Sequence, residues 1–175
     1  MSDKVFNVLF LCTGNTARSI LAEGILRSEG IGRFRAYSAG SQPKGVVNPL
    51  AVETLEAFGY SADGLSSKSW SDYAGADAPQ MDFIITVCDN AAGEACPVWP
   101  GHPATAHWGI EDPAAVDGPD IEKRKAFNLT FKYLKNRIDL LLATPLSRLD
   151  KMAAQKRLAE IGKVEGATEM AGNKG

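Results

Sequence analysis

Cys12, Gly14, Asn15, Arg18 and Ser19 lie directly after an apolar run over residues 5–11 and directly before a stretch of helical spacing over residues 20–28. A cysteine at a strand end, a tight loop and an arginine at a helix start can together hold an anion. Successive backbone N–H groups of such a loop point inward, and a helix N-terminus adds partial positive charge. The oxyanion-binding set is therefore Thr13, Gly14, Asn15, Thr16, Ala17 and Arg18. Gly14 and Asn15 are residue types that tolerate left-handed backbone. Arg18 presents a planar fork of donors suited to a tetrahedral oxyanion. In that field the Cys12 thiolate is favoured, and its pKa is expected to fall to about 4–7. A thiolate beneath a bound oxyanion is placed for in-line attack. Ser19 is expected to hydrogen-bond the sulfur and stabilise it as a leaving group.

The elements that must position these groups alternate in type. Residues 5–11, 33–38, 82–87 and 105–108 read as strands, the third apolar nearly throughout, as a buried parallel strand is. Helical spacing covers 20–28, the stretch after Asn48-Pro49, and 120–143. Asn48 suits an N-cap and Pro49 a first turn. Phe127, Phe131, Leu134, Ile138 and Leu141 form one stripe of the third helix. Residues 69–76 form a candidate short helix, and Leu146, Leu149 and Ala153 suggest another to about Ile161. The fold class is α/β: such alternation implies a parallel sheet with helices on both faces. Ligands of such sheets lie at the carboxyl ends of the strands. Cys12, Cys88 and Asp112 each follow a strand and are expected to converge on one rim. The segment KVEGATEMAGNKG has little apolar content and is expected to be disordered.

A chain of 175 residues fits one domain with a sizeable core. Its net charge of −2 offers no global support for a nucleic-acid or anionic-membrane partner. No apolar run approaches the roughly 20 residues of a membrane span, and the N-terminus lacks a signal-peptide pattern. A cytoplasmic location is expected. Three cysteines in a reducing compartment read as reactive or buried, not as a disulfide framework.

Cys12-x5-Arg18-Ser19 after an apolar strand, with Gly14 and Asn15 inside and a helix following, resembles the signature loop of the low-molecular-weight protein tyrosine phosphatase superfamily. That superfamily includes one class of arsenate reductases. The resemblance covers roughly residues 4–143. It implies a three-layer α/β/α fold with a four-stranded parallel sheet, a phosphatase-like domain over 1–145, and a C-terminal helical extension and tail over 146–175. It also implies that Asp112, in Asp112-Pro113, is the general acid that protonates the departing oxygen.

Cys88 and Cys96 flank the loop CDNAAGEACP. A strand followed by Cys-x7-Cys-Pro is similar to the three-cysteine arsenate reductases that thioredoxin recycles, with one more residue between the cysteines. On that resemblance Cys12 attacks arsenic, Cys88 attacks Cys12, and Cys96 attacks Cys88. No tightly bound cofactor is implied. The reductant is external: thioredoxin, or glutathione with glutaredoxin. The alternative is a phosphatase that hydrolyses phosphomonoesters through a phosphocysteine on Cys12. Ala114-Ala115-Val116 stand where the tyrosine phosphatases carry aromatic side chains to wall a phenol pocket. A small free oxyanion such as arsenate suits that better.

Asn15, Glu23 and Ser38 match positions that bind potassium in some relatives. Lys68 aligns with the fourth position, where its ammonium replaces the ion, so no metal is expected. His102 and His107 are not spaced as metal ligands. Trp70, Trp99 and Trp108 read as packing residues, and Lys123, Arg124 and Lys125 as a solvated helix face.

Overall fold

The structure is a computed structural model that describes residues 4–88 and 101–168. Expectations that fall on residues 89–100, Cys96 and Trp99 among them, lie outside the described residues.

The first strand, β1 (Phe6–Leu11), is apolar on both faces. Its alternation sends Val8 and Phe10 into one core cluster and Leu9 and Leu11 into another. A strand buried on both faces belongs inside a sheet. β1 lies between β2 (Phe34–Ala39) and β3 (Phe83–Thr86), with β4 (Ala104–His107) beyond β3. All three pairings are parallel. Among the described residues, four α-helices accompany the strands: α1 (Arg18–Glu29), α2 (Pro49–Ala57), α3 (Asp120–Leu142) and α4 (Lys151–Ile161). Each contributes to the cluster that holds Val8, Phe10, Phe83 and Ile85. Trp108 is wholly buried there and donates its ring N–H to Leu158 O at 2.9 Å. On the opposite face, Leu9, Leu11 and Ile84 pack with Trp70 and Tyr73. The expected α/β fold with a four-stranded parallel sheet is the one observed.

Local chemistry accounts for the boundaries. Asn48 caps α2 by accepting from Leu50 N–H at 2.9 Å, with Pro49 at the first helical position. The candidate helix over 69–76 is only a 3-10 turn, Trp70–Tyr73. The stretch after Leu146 divides into a 3-10 turn, Leu146–Arg148, and α4, because Asp150 accepts from Ala153 N–H at 2.8 Å and starts a new helix. α1 has Ala17 at its N-cap and no side-chain cap, so its first N–H groups stay available at the mouth of the Cys12 loop.

The tail expectation needs correction. Residues 163–168 are not disordered; they fold back on the body. Wholly buried Arg137 donates to Val164 O and Glu165 O, both at 3.1 Å. Thr168 N–H donates to Gly109 O at 3.0 Å, and Ala167 bridges antiparallel to Ile110. Low apolar content misled because backbone hydrogen bonds and a buried cation hold the segment, not its own hydrophobic side chains. Among the described residues, no helix is long and apolar enough to cross a membrane.

Candidate active site

β1 ends at Leu11, and Cys12 N–H still donates to Ala39 O at 3.1 Å, so the nucleophile candidate hangs from the sheet itself. The loop then turns its carbonyls outward. Thr13 O accepts from Gln42 N–H at 2.9 Å, Gly14 O from Lys44 N–H at 3.2 Å, and Thr16 O from Asn48 N–H at 2.9 Å. Among the described residues, the N–H groups of Gly14 to Arg18 have no backbone acceptor. With carbonyls tied outside, those amides line the inside, which is an anion nest.

Asn15 makes the turn at φ 49°, the left-handed region. Gly14, expected to share that role, has no positive φ. Asn15 is wholly buried and its amide is fully used. Nδ2 donates to Ser19 Oγ at 2.8 Å and Ser38 Oγ at 3.0 Å, and Oδ1 accepts from Lys68 N–H at 2.9 Å. Gly40, just past the end of β2, decides the loop position. A Cβ there would stand 2.4 Å from Thr13 O and 2.6 Å from Cys12 O. Side-chain absence at Gly40 lets the loop lie against the end of β2.

Cys12 and Cys88 are both buried. Thr13 N–H donates to Cys88 Sγ at 3.4 Å, and the Cys88 side chain stands close enough to Cys12 to shift its proton affinity. This corrects the expected lowering of the Cys12 pKa. The Cys88 side chain and burial push the Cys12 thiol up, against the pull of Arg18 and Thr13 N–H. Adjacent sulfurs titrate as a pair. Losing both protons is therefore disfavoured.

Arg18 donates from Nη1 to Ile110 O at 2.8 Å, and its Nη2 lies 3.7 Å from Asp112 Oδ2. Its Nε is buried with no partner among the described residues. A buried guanidinium donor left open beside unpaired amides is suited to an anion. Asp112 accepts from Ala114 N–H at 2.9 Å, which starts the 3-10 turn Pro113–Ala115. Arg18, Cys88 and Asp112 line one cavity of about 490 Å³. Ser19 is buried, and its Oγ accepts from Asn15; that contact, rather than one to sulfur, is its observed bond.

Glu23, Ser38 and Lys68 form a cluster beneath the loop. Ser38 Oγ donates to Glu23 Oε1 at 2.5 Å. Lys68 Nζ lies 3.6 Å from Glu23 Oε1 and 3.5 Å from Ser38 Oγ. Burial pushes the Glu23 carboxyl above its ordinary range, against Lys68 and Ser38. A potassium ion here would meet a fixed ammonium, so these residues do not fit one. His107 is buried, with Nδ1 2.6 Å from Thr86 Oγ1, and His102 accepts from Lys151 through its carbonyl. Both contacts are structural.

A sequence profile of the family described as low molecular weight phosphotyrosine protein phosphatase matches residues 7–155. An arsenate reductase of Bacillus subtilis is 34% identical over 139 residues, which span 79% of this chain and 94% of that protein. Among solved structures, an arsenate reductase in the phosphate binding state superimposes with a TM-score of 0.64 at 27% identity, over 79% of this chain and 98% of the other. A low molecular weight protein tyrosine phosphatase from T. tengcongensis gives 0.63 at 25% identity, over 79% and 98%. A family profile that matches most of the chain places it plainly: the chain belongs to the low molecular weight phosphotyrosine protein phosphatase family.

Proposed function

We propose that this chain reduces arsenate to arsenite through a relay of thiols. The observation that carries the reading is the buried Cys88 side chain beside Cys12, with Thr13 N–H of the anion loop donating to Cys88 Sγ at 3.4 Å. Hydrolysis through Cys12 alone has no use for a second buried sulfur. The likeness to named arsenate reductases supports the same reading.

Arsenate occupies the nest, held by the amides of Gly14 to Arg18 and by Arg18 Nε. Cys12, as thiolate, attacks arsenic, and an S–As bond forms. Asp112 gives its proton to an arsenate oxygen, which leaves as water. Cys88, as thiolate, then attacks Cys12 Sγ, with Ser19 offering a hydroxyl proton nearby. The S–As electron pair passes to arsenic, which falls from the +5 to the +3 state and departs as arsenite. A Cys12–Cys88 disulfide remains, and the two sulfurs have supplied the two electrons. Cys96 takes over the disulfide from Cys88 and presents it to an external dithiol, thioredoxin, which restores both thiols. Glutathione with glutaredoxin is the other donor class. The reducing cytoplasm is the setting this cycle needs.

Cys88→Ser tests the relay. With arsenate, thioredoxin, its reductase and NADPH, turnover should vanish, while hydrolysis of p-nitrophenyl phosphate through Cys12 persists. If Cys88→Ser still turns over arsenate at the unsubstituted rate, the relay is wrong. The family membership favours a second reading, phosphomonoester hydrolysis through a phosphocysteine. It wins if the unsubstituted chain hydrolyses the ester and consumes no NADPH with arsenate.

A further inference from the structure

Arg137, on α3, is wholly buried and takes no part in the chemistry above. It has no carboxylate partner among the described residues. A guanidinium taken out of water is costly unless its donors are used. Its Nη donors go to three backbone carbonyls, Tyr133 O at 3.0 Å on its own helix and Val164 O and Glu165 O at 3.1 Å, while its Nε has no partner among the described residues. The last two belong to a strap, residues 162–168, that follows α4.

The strap's path is fixed by close approach. A Cβ on Gly162 would stand 2.3 Å from His107 O, and one on Gly166 would stand 2.5 Å from the Tyr133 ring. Gly166 also holds φ at 94°, which side chains disfavour. The strap then pairs with the chain just beyond β4, the edge strand. Thr168 N–H donates to Gly109 O at 3.0 Å, and Ala167 bridges to Ile110.

That pairing reaches the site through one peptide plane. Gly109 O and Ile110 N–H share a plane. The strap holds its oxygen, and Val87 O, next to Cys88, accepts its N–H at 3.2 Å. The following carbonyl, Ile110 O, accepts from Arg18 Nη1. Thr168 itself lines the cavity with Arg18, Cys88 and Asp112. The family match ends at residue 155, so the strap lies outside it.

We propose that Arg137 and the strap are positioning elements of the oxyanion site: by clamping Gly109 and Ile110 they fix the carbonyl that orients the Arg18 guanidinium. The proposal rests on the reading of Arg18 as an oxyanion donor. Without the strap, the 109–110 plane keeps one hydrogen bond, the Ile110 carbonyl swings, and Arg18 follows it.

Gly166→Ala lifts the strap by contact with the Tyr133 ring and leaves Arg137 in place. Arg137→Met removes the strap's pins; if that variant fails to fold, Gly166→Ala decides alone. The probe is inorganic phosphate, titrated calorimetrically against the reduced full chain, beside KM and kcat for arsenate with thioredoxin. Gly166→Ala should weaken phosphate roughly tenfold, the worth of one charge-assisted hydrogen bond. KM for arsenate should rise by the same factor with kcat little changed. In an Arg18→Ala background, Gly166→Ala should add no further loss, as coupled residues require. A merely structural strap would lower Tm and the active fraction while the folded protein kept its phosphate affinity, and that result overturns the proposal. If the unsubstituted chain binds neither phosphate nor arsenate, the reading of Arg18 fails first and the proposal falls with it.

Discussion

Gly40→Ala is the sharpest test of how the nest is held. The substitution adds one methyl group, and no positive φ at Gly40 opposes it. Space is the obstacle. The new Cβ would lie 2.4 Å from Thr13 O and 2.6 Å from Cys12 O, where real Cβ contacts rarely fall below about 3.0 Å. Both contacts are backbone, so no side chain can swing away; the loop or the end of β2 must move by about 0.6 Å. Overpacking of this kind costs about 1–3 kcal/mol. A loss of about 2 kcal/mol lowers Tm by roughly 4–8 °C in a chain of this size. The displaced residues carry the nucleophile, and misplacement by about 1 Å can cost 100-fold in rate, so kcat/KM for arsenate should fall roughly 10- to 100-fold. Calorimetric melts and the coupled thioredoxin assay read the two effects. Gly14→Ala is the stability control: its Cβ would meet Lys44 at an ordinary 3.6 Å, so it should not produce the Tm drop. Unchanged Tm and kcat/KM in Gly40→Ala would refute the claim that this contact places the loop.

Asp112→Asn should lower kcat for arsenate about 100-fold, the usual worth of a positioned general acid, in the same coupled assay. Glu23 has a pH signature. Its folded-state pKa is raised by burial above the ordinary 4.5. Below pH 4.5 both states keep the proton and the cost is absent. As pH rises above 4.5, the unfolded chain ionises first, so stability falls until the folded carboxyl ionises too. Urea unfolding of the unsubstituted chain against Glu23→Gln should therefore show a gap that moves against the unsubstituted chain as pH rises from 4.5. Lys68→Met should cost about 2–4 kcal/mol because it leaves that carboxylate without its cation. The loss should be larger at pH 8 than at pH 5; equal losses at both would remove Lys68 from the pair.

Much of the scaffold could be read from local patterns. The two-faced apolar run of β1, the stripe of α3 and the Asn48-Pro49 start of α2 are each encoded within a few residues, because side-chain period and capping are short-range effects. The Cys12 loop was legible for the same reason: strand, left-handed turn and uncapped helix start are consecutive. Asn15 could be placed at the left-handed position, although Gly14 could not be told from it by residue type alone. That Cys88 and Asp112 line one cavity with Arg18 accords with one rule about strand ends.

What the order of residues determined on its own is the nest: which atoms could meet an oxyanion, and which thiol lies beneath it. Tertiary structure alone decided the thiol's company and its proton. Cys88 accepts from Thr13 N–H and stands beside Cys12 because β3 pairs with β1. The same holds for the space at Gly40, the ammonium of Lys68 beside Glu23, and the strap that Arg137 anchors. The physical reason is range. Backbone conformation answers to neighbours a few positions away, whereas proton affinity, steric room and the cost of burying charge depend on whatever the fold brings within a few ångströms, however distant in the chain.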